Sequence, residues 1–296
     1  MFDRRMFLGG SAAALGLVAC GDAAMPKAGG RKINEIGLQS YTLREIFEPD
    51  PAGTLKMLKE IGYDYVELNE RNYAERSADE LAGLVKDAGL YCPASHVNYE
   101  NVRDDTAGVI KALTTLGANY GVIPWISDQE RTMEDYKRHA AMFNEKGKAF
   151  RDAGLRLAYH NHQFEFDDLG GGTTGEDILI SETDPDLVAF ELDLFWAALA
   201  SVDIPALFAK YPGRFELCHI KDMKGDPKAY RASRDYDDIG AALMVDVGAG
   251  DLPFEKWFAM NDVSGMKYFI AEHDSPAKPY RDAVAMSHNT IRAMRF

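Results

Sequence analysis

Eight short apolar runs recur along the chain, separated by longer stretches in which apolar residues return with a helical period. The runs are too uniformly apolar for strands that are buried on one face only, which is typical of parallel sheets covered on both sides. Each run therefore predicts a buried strand. The predicted strands cover residues 35–40, 65–68, 91–97, 120–125, 156–161, 188–192, 215–220 and 268–272.

The stretches between these runs carry signals for the start and the end of helices. Pro51 opens one stretch and Gly62 closes it, as expected for a helix with proline in its first turn and glycine after its last. Within it, Leu55, Leu58 and Ile61 share one face. Further helices are predicted over residues 78–88, 104–116, 132–153, 203–211 and 253–260.

A strand followed by a helix eight times over predicts an α/β fold, a (β/α)8 TIM barrel formed as a single domain by residues 33–296. The alternative is an open, doubly wound sheet. No predicted strand is followed by a glycine-rich dinucleotide-binding turn, because Gly170–Gly172 comes after a polar segment and is predicted to be a loop.

The N-terminal segment indicates export. Arg4 and Arg5 precede an apolar run that ends at Cys20, so residues 1–20 resemble a twin-arginine-type signal with a lipobox. The run is shorter than a membrane span requires. Residues 21–32 are predicted to be a flexible tether, which makes the protein periplasmic, with Cys20 as its lipid anchor and only contact with the membrane.

The net charge and the spacing of the cysteines limit the kinds of molecule that the protein is expected to bind. The net charge of −14 disfavours binding to a polyphosphate backbone, so nucleic acid is excluded as a partner. Cys92 and Cys218 lie in apolar runs without the paired spacing of a zinc or redox motif, which predicts small buried side chains. The partner expected is a small-molecule sugar, and oligomeric assembly is left open.

Nitrogen and oxygen ligands end four successive predicted strands. His160 and His162 alternate onto the same side of the fifth strand, and Glu165 follows in the loop behind them. In barrels of this class the carboxyl ends of the strands carry the active site. Imidazoles and carboxylates without thiolates favour a divalent ion such as Mn²⁺, Zn²⁺ or Co²⁺. The next three strands end in Asp193, in His219 with Lys221, and in Glu272.

Three motifs resemble those of a known family. The first strand continues as Gly37-Leu38-Gln39-Ser40-Tyr41-Thr42-Leu43-Arg44, the second contains Val66-Glu67-Leu68, and the third contains Ser95-His96-Val97. From residue 36 to about residue 292 the chain resembles the xylose-isomerase-like TIM barrel family of sugar phosphate isomerases and epimerases, which also contains inosose dehydratases and endonuclease IV. The His160–Glu165 segment resembles an exported branch of this family.

By position, the resemblance implies Asp193, His219 and Glu272 as metal ligands, with His160 or Glu165 as a further ligand. Family members that epimerise ketoses usually have a glutamate where this chain has His160. This departure leaves isomerisation, dehydration and elimination open as reaction types.

Six other residues near predicted strand ends are candidates for substrate binding. Polar side chains at these positions can bond to sugar hydroxyls and tryptophans can stack on a sugar ring, although structural roles explain the same residues. They are Gln39, Tyr41, Glu67, His96, Trp125 and Trp196.

The leading hypothesis is a metal-dependent isomerase or epimerase that acts on a small sugar or keto-sugar. His162 or Glu165 would remove a proton from carbon, and Glu272 or Lys221 would return one. The alternatives are a lyase, dehydratase or hydrolase acting on a keto-glycoside, and a lipid-anchored sugar-binding protein without turnover. A DNA-repair enzyme conflicts with the net charge. No basic cluster or glycine-rich cradle predicts a phosphate site.

Overall fold

The computed structural model describes residues 30–73 and 75–296, and its centre is a closed barrel of eight parallel strands. The predicted signal, residues 1–20, and most of the predicted tether lie outside the described residues. In chain order the barrel strands are β1 (Gly37–Gln39), β2 (Tyr65–Asn69), β3 (Ala94–His96), β4 (Tyr120–Ile123), β5 (Arg156–His160), β6 (Val188–Asp193), β7 (Phe215–Ile220) and β10 (Tyr268–Ala271). β1 pairs with β10 and closes the sheet. The (β/α)8 prediction is thus confirmed, and the open-sheet alternative is wrong.

Helices surround the barrel. Their ends follow the predicted signals: the Asp50 side chain accepts from the backbone N–H of Gly53 at the start of the second helix, and Gly62 ends it at a φ of 119°. The helices are α1 (Arg44–Phe47), α2 (Pro51–Ile61), α3 (Ala78–Asp87), α4 (Tyr99–Asp104), α5 (Thr106–Leu116), α6 (Met133–Asp152), α7 (Gly175–Glu182), α8 (Leu194–Leu199), α9 (Ile204–Lys210), α10 (Tyr236–Leu243), α11 (Phe254–Phe258), α12 (Asn261–Ser264) and α13 (Tyr280–Ala293). Across the described ranges, none of these helices is long and apolar enough to cross a membrane.

Three local features differ from or refine the predictions. The predicted helix 104–116 corresponds to α5, which begins two residues later because the Asp105 side chain accepts from the Gly108 N–H, and the short helix α4 before it was not predicted. A two-stranded antiparallel ribbon, β8 (Asp222–Met223) with β9 (Met244–Val245), was not predicted. Gly170–Gly172 lies outside helices and strands with positive φ at all three residues, in agreement with the predicted loop.

The inward-facing side of the barrel changes from apolar to charged along the strands. At the N-terminal end the interior is filled by Tyr65, Tyr120 and the partly buried Tyr268, which contact one another edge to face. Ala158 and Leu217 lie in the same apolar cluster. Two residues beyond the apolar position, the inward side of β2, β3, β5, β6 and β7 carries ionisable groups, whereas β4 and β10 continue with the apolar Val122 and Ile270. The apolar layer thus forms the base of a polar layer.

One buried carboxyl group outside this layer, that of Glu176, is expected to lower the free energy of unfolding. Glu176 in α7 is buried, and its two carboxylate oxygens have no hydrogen-bond partner among the described residues. Burial, together with the charges of Glu165 and Asp177, raises the pKa of Glu176 well above its ordinary value. The folded protein therefore holds a proton that the unfolded chain releases above its ordinary carboxyl pKa. Consequently, the contribution of Glu176 to stability falls as the pH rises.

Glu176→Met is expected to raise the free energy of unfolding by about 1–3 kcal/mol at pH 8, with a smaller gain at pH 4. Urea denaturation at the two pH values measures the difference. Glu182→Met, at an exposed position of the same helix, is the control and should change stability little. A loss of stability in Glu176→Met at pH 8 would contradict the prediction.

Candidate active site

The polar layer forms because alternate residues of each strand face the barrel axis. Ala158 is followed by His160 and then His162, and Leu217 by His219 and then Lys221, on the inward side. Seven of the inward side chains of this layer, together with Lys221 beyond β7, are linked by hydrogen bonds or ion pairs. The linked residues are Glu67, His96, His160, Glu191, Asp193, His219, Lys221 and Glu272.

His219 lies at the centre of this network. Its Nε2 is 2.6 Å from Glu67 Oε2, and its Nδ1 is 2.6 Å from Glu272 Oε2. Burial lowers the pKa of His219, but the carboxylates of Glu191, Glu272 and Glu67 outweigh it and raise the pKa well above its ordinary value. With carboxylate acceptors at both ring nitrogens, the ring is held as an imidazolium. A metal ion held by His219 would displace one ring proton and leave the other for a carboxylate partner.

Glu191 joins three histidines and was given no role in the sequence analysis. Its Oε2 lies 2.9 Å from His96 Nε2, 3.1 Å from His160 Nδ1 and 3.2 Å from His219 Nε2. Burial would raise the pKa of Glu191, but these imidazoles hold it well below its ordinary value. The carboxylate is thus an anion that orients the histidine rings. Its position two residues before Asp193, on the same side of β6, is the signal in the sequence.

The donor set of Asp193, His219 and Glu272 fits a divalent cation. One ligand atom from each of the three lies within 4.8 Å of the others, and all three residues are buried. Asp193 Oδ2 has no hydrogen-bond partner among the described residues, although it is buried and close to positive charge. Buried carboxylate oxygens left in this way are suited to bind a cation.

His160 lies next to the set of Asp193, His219 and Glu272 and also belongs to a second group of possible metal ligands. It belongs to a second group of four ligand-type residues with His96, Glu191 and His219, and its Nε2 is 3.8 Å from Asp193 Oδ2. Burial lowers the pKa of His160 to about 3, so the ring is neutral and keeps a free electron pair for a metal. The structure therefore brings all four predicted ligands together, with His160 in the outer position.

Lys221 adds a fixed positive charge beside the set. Its Nζ is 2.8 Å from Glu272 Oε2, 2.9 Å from Asp274 Oδ1 and 3.2 Å from Asp193 Oδ2. Burial would lower the pKa of Lys221, but the three carboxylates raise it well above its ordinary value. The side chain is consequently an ammonium group that can donate hydrogen bonds or a proton into the space above.

That space is a cavity of about 360 Å³ over the polar layer. His162 lines it between aromatic rings, with ring centroids 5.0 Å from Trp125 and 5.3 Å from Trp196. Burial lowers the pKa of His162 well below its ordinary value, and the positive charge of Lys221 contributes to this shift. His162 Nδ1 is buried without a partner among the described residues. The ring is therefore a neutral base at the cavity wall.

Five predicted site residues lie below or beside the cavity and do not line it: Asp193 and His219 of the metal-fitting set, and Gln39, Glu67 and Glu165. Gln39 is buried, and its Nε2 donates to Glu67 Oε2 at 2.8 Å. The same oxygen of Glu67 contacts His219 Nε2, so Gln39 holds the carboxylate that orients His219. Glu165 accepts hydrogen bonds from Tyr159 Oη and from the His162 N–H, the latter at 2.8 Å. Its carboxylate thus positions the backbone of His162 and faces away from the cavity.

The remaining predicted residues do line the cavity, together with several that the sequence analysis did not assign. Tyr41, His96, Trp125 and Trp196 contribute side chains next to His160, His162, Lys221 and Glu272. Among the unassigned residues, Asn69 ends β2 in the same way as the predicted sites end their strands, and Asp274 follows β10 two residues after Glu272. Tyr236 comes from the start of α10. The unassigned lining residues are Asn69, Arg71, Pro124, Tyr236 and Asp274.

Known proteins share this architecture. An inosose dehydratase of Clostridium tetani is 29% identical over 154 residues, an alignment that covers 50% of this chain and 50% of that relative's length. A sugar phosphate isomerase/epimerase structure from Parabacteroides distasonis superposes with a TM-score of 0.72 at 25% identity, covering 92% of this chain and 97% of that one. The structure of the IOLI protein with a bound zinc atom superposes with a TM-score of 0.67 at 18% identity, covering 88% and 99%.

The family assignment comes from the match to a family profile. Residues 55–290 match the family described as xylose isomerase-like TIM barrel, which includes most of the barrel and the polar layer. Relatives in this family are sugar-processing enzymes, both isomerases or epimerases and inosose dehydratases. On the extent of this match and the closed eight-stranded barrel, the chain belongs to the xylose isomerase-like TIM barrel family.

Proposed function

We propose that the protein is a metal-dependent enzyme that removes a proton from the carbon next to the carbonyl group of a small sugar or keto-sugar, and so isomerises or epimerises it. The observation that carries this proposal is that a neutral base, His162, and a cationic acid, Lys221, line one cavity whose wall also contains Glu272 of the metal-fitting set. An acid and a base facing one small cavity are the groups that proton transfer at carbon requires.

Asp193, His219 and Glu272 would hold the divalent ion, with His160 as the fourth ligand. When bound, the ion supplies Lewis-acid polarisation of the sugar's carbonyl oxygen, which acidifies the neighbouring C–H bond. Glu191 and Glu67 orient the ligand histidines through the contacts described above.

The proton passes between two side chains of the cavity. An imidazole nitrogen of His162 accepts the proton from the sugar carbon, the electron pair of the C–H bond forms a C=C bond, and the π pair of the carbonyl group moves onto its oxygen. Lys221 Nζ, held by Asp274 and Glu272, then gives a proton to the same carbon in epimerisation, or to the neighbouring carbon in isomerisation, in which the hydroxyl proton moves to the former carbonyl oxygen. Exchange with water returns His162 and Lys221 to their starting protonation states. Because burial keeps the pKa of His162 low, this base is unprotonated at neutral pH and ready for the first transfer.

Aromatic side chains exclude water from the reacting atoms. His162 contacts Trp125, Trp196 and Tyr236, and its ring stacks on Phe164 at an interplanar angle of 12°. A sugar has apolar C–H faces that rest well against such rings. The same rings hold the imidazole in one orientation, which is the positioning that proton transfer needs.

Elimination of a substituent next to the acidified carbon is the second candidate reaction. Such a lyase or dehydratase needs a general acid to protonate the leaving oxygen while the base removes the carbon-bound proton. Lys221 supplies that acid in the same cavity as His162. The similarity to inosose dehydratases favours this alternative over hydrolysis.

The test is hydrogen–deuterium exchange at carbon, followed by NMR in D₂O with the barrel domain and Mn²⁺. Aldoses, ketoses and 3-keto-glycosides form the panel. Manganese-dependent incorporation of deuterium with an isomerised product supports isomerisation, and incorporation with loss of a substituent supports elimination. Binding without exchange for every sugar would refute catalysis and favour a sugar-binding protein.

We also propose that residues 1–20 direct export and that Cys20 is lipidated, with residues 21–32 as the tether. Labelling with a fatty acid in cells tests this proposal. Incorporation should be abolished in Cys20→Ser, and export should fail when Arg4 and Arg5 are both replaced by lysine. Equal labelling of wild type and Cys20→Ser would refute the anchor.

A further inference from the structure

A second cavity of about 460 Å³ opens beside the candidate active site. It is bordered by the C-terminal ends of β2, β3 and β4 and by the start of α4. The two cavities have five lining residues in common and therefore adjoin one another. The shared residues are Asn69, Arg71, His96, Pro124 and Trp125.

We propose that the second cavity binds a second, uncharged sugar ring, so that the substrate is a neutral disaccharide or related glycoside whose reacting ring lies over the metal-fitting set. This inference rests on the proposed function and names the substrate class of the same site. Sites for small molecules typically measure roughly 300–1000 Å³. The first cavity by itself, at about 360 Å³, is near the lower limit, and the second gives room for another ring.

The second cavity presents amide groups held in fixed positions. Glu70 accepts a hydrogen bond from the Asn98 N–H at 2.7 Å and another from Asn101 Nδ2 at 2.6 Å, which fixes the start of α4. Asn98 Oδ1 accepts from the N–H of Glu100 at 2.9 Å. In the hydrogen bonds between described residues, Nδ2 of Asn98 and Nδ2 of Asn69 have no acceptor. Both amides are therefore free to donate to hydroxyl groups.

Its aromatic and charged residues select a neutral ring. Tyr99 and Trp125 line the cavity with flat apolar surfaces, against which the C–H face of a sugar ring can rest. The lining contains one guanidinium group, that of Arg71, and two carboxylates, those of Glu70 and Glu100, so these three side chains together carry no excess of positive charge. A phosphate group would meet no excess of positive charge here, which is the feature that phosphate sites require.

A bulky side chain placed in the second cavity tests the proposal without altering the first. Ser127 lines the second cavity and does not line the first, and its hydroxyl accepts only a long contact, 3.4 Å, from the Gln129 N–H. The next residue, Asp128, lines a different cavity of about 300 Å³, and Trp125 also lines that cavity. Ser127→Trp therefore blocks the proposed subsite, and Asp128→Trp is the matched control.

The assay compares 3-keto-trehalose with 3-keto-glucose by deuterium exchange, using the manganese-loaded full chain. We expect the wild-type kcat/KM to be higher for the disaccharide by about tenfold or more. Ser127→Trp should remove this advantage and leave the monosaccharide within about twofold of wild type, whereas Asp128→Trp should keep it. Equal kcat/KM values for the two sugars in wild type, or equal losses for both in Ser127→Trp, would overturn the subsite.

Failure of the proposed chemistry gives a different result. If wild type exchanges no deuterium with either sugar, isothermal titration calorimetry on the same three proteins decides the question by binding alone. Weaker binding of the disaccharide in Ser127→Trp, with Asp128→Trp unchanged, supports the subsite. Equal affinities in all three proteins, or no binding of either sugar, overturn it.

Discussion

Asp193→Asn is expected to lower the affinity for Mn²⁺ by more than about 100-fold and to reduce turnover in parallel. The substitution keeps Oδ1, which accepts from the Trp196 N–H at 3.0 Å and starts α8, so the barrel should still fold. It replaces Oδ2, the buried oxygen without a hydrogen-bond partner that lies 3.2 Å from Lys221 Nζ, by an amide NH₂ group. Metal affinity by competition with a fluorescent chelator and deuterium exchange by NMR measure the two effects.

Asp274→Asn is the control for this substitution. Asp274 also pairs with Lys221, at 2.9 Å, but it lies outside the group of three metal-fitting residues. Its replacement should leave metal affinity within a few fold of wild type. Retention of wild-type metal affinity in Asp193→Asn would contradict the assignment.

Because burial raises the pKa of Asp193 to about 6, metal affinity of the wild type should also increase between pH 5 and pH 7, as this carboxyl group loses its proton.

His162→Phe is expected to lower kcat by about 10²–10⁴-fold and to leave metal affinity unchanged. The phenyl ring preserves the stack on Phe164 and the contacts with Trp125 and Trp196, so the loss reports on the ring nitrogen and not on packing. Steady-state kinetics should show the change in kcat, with a much smaller change in KM.

Glu165→Gln separates the two bases that the sequence left open. A glutamine can still bond to Tyr159 Oη and accept from the His162 N–H, because its amide can exchange the positions of oxygen and nitrogen. If His162 is the base, kcat of Glu165→Gln should stay within about tenfold of wild type. A loss in this variant as large as that in His162→Phe would transfer the role to Glu165.

The main elements of the barrel follow from local sequence signals, and the exceptions have local causes. Runs buried on both faces mark all eight barrel strands, because a central strand needs apolar residues on both sides. β8 and β9 were not predicted because strands of two residues are too short to show an alternation of apolar and polar residues. The helix α4 was missed because its six residues are too few to show a helical period.

The site is predictable where strand direction determines it and unpredictable where loops do. Asp193, His219 and Glu272 meet because parallel strands end at one face of the barrel. Glu165 lies in a short loop, and whether its carboxylate turns inward or back onto Tyr159 depends on packing that the sequence does not display. Tyr236 reaches the cavity from α10, more than seventy residues beyond β5, so only the folded chain reveals its position.

The tyrosines at the N-terminal end of the barrel bear on the order in which the proposed ligands would bind. Tyr65, Tyr120 and Tyr268 fill that end, and the cavity over the polar layer, where the proposed sugar would bind, lies at the opposite end. Under the proposed function, the ion and the sugar would share one entrance, so the ion would bind first and a bound sugar would retain it. A chelator should then remove the metal quickly from the protein alone and slowly in the presence of a saturating sugar.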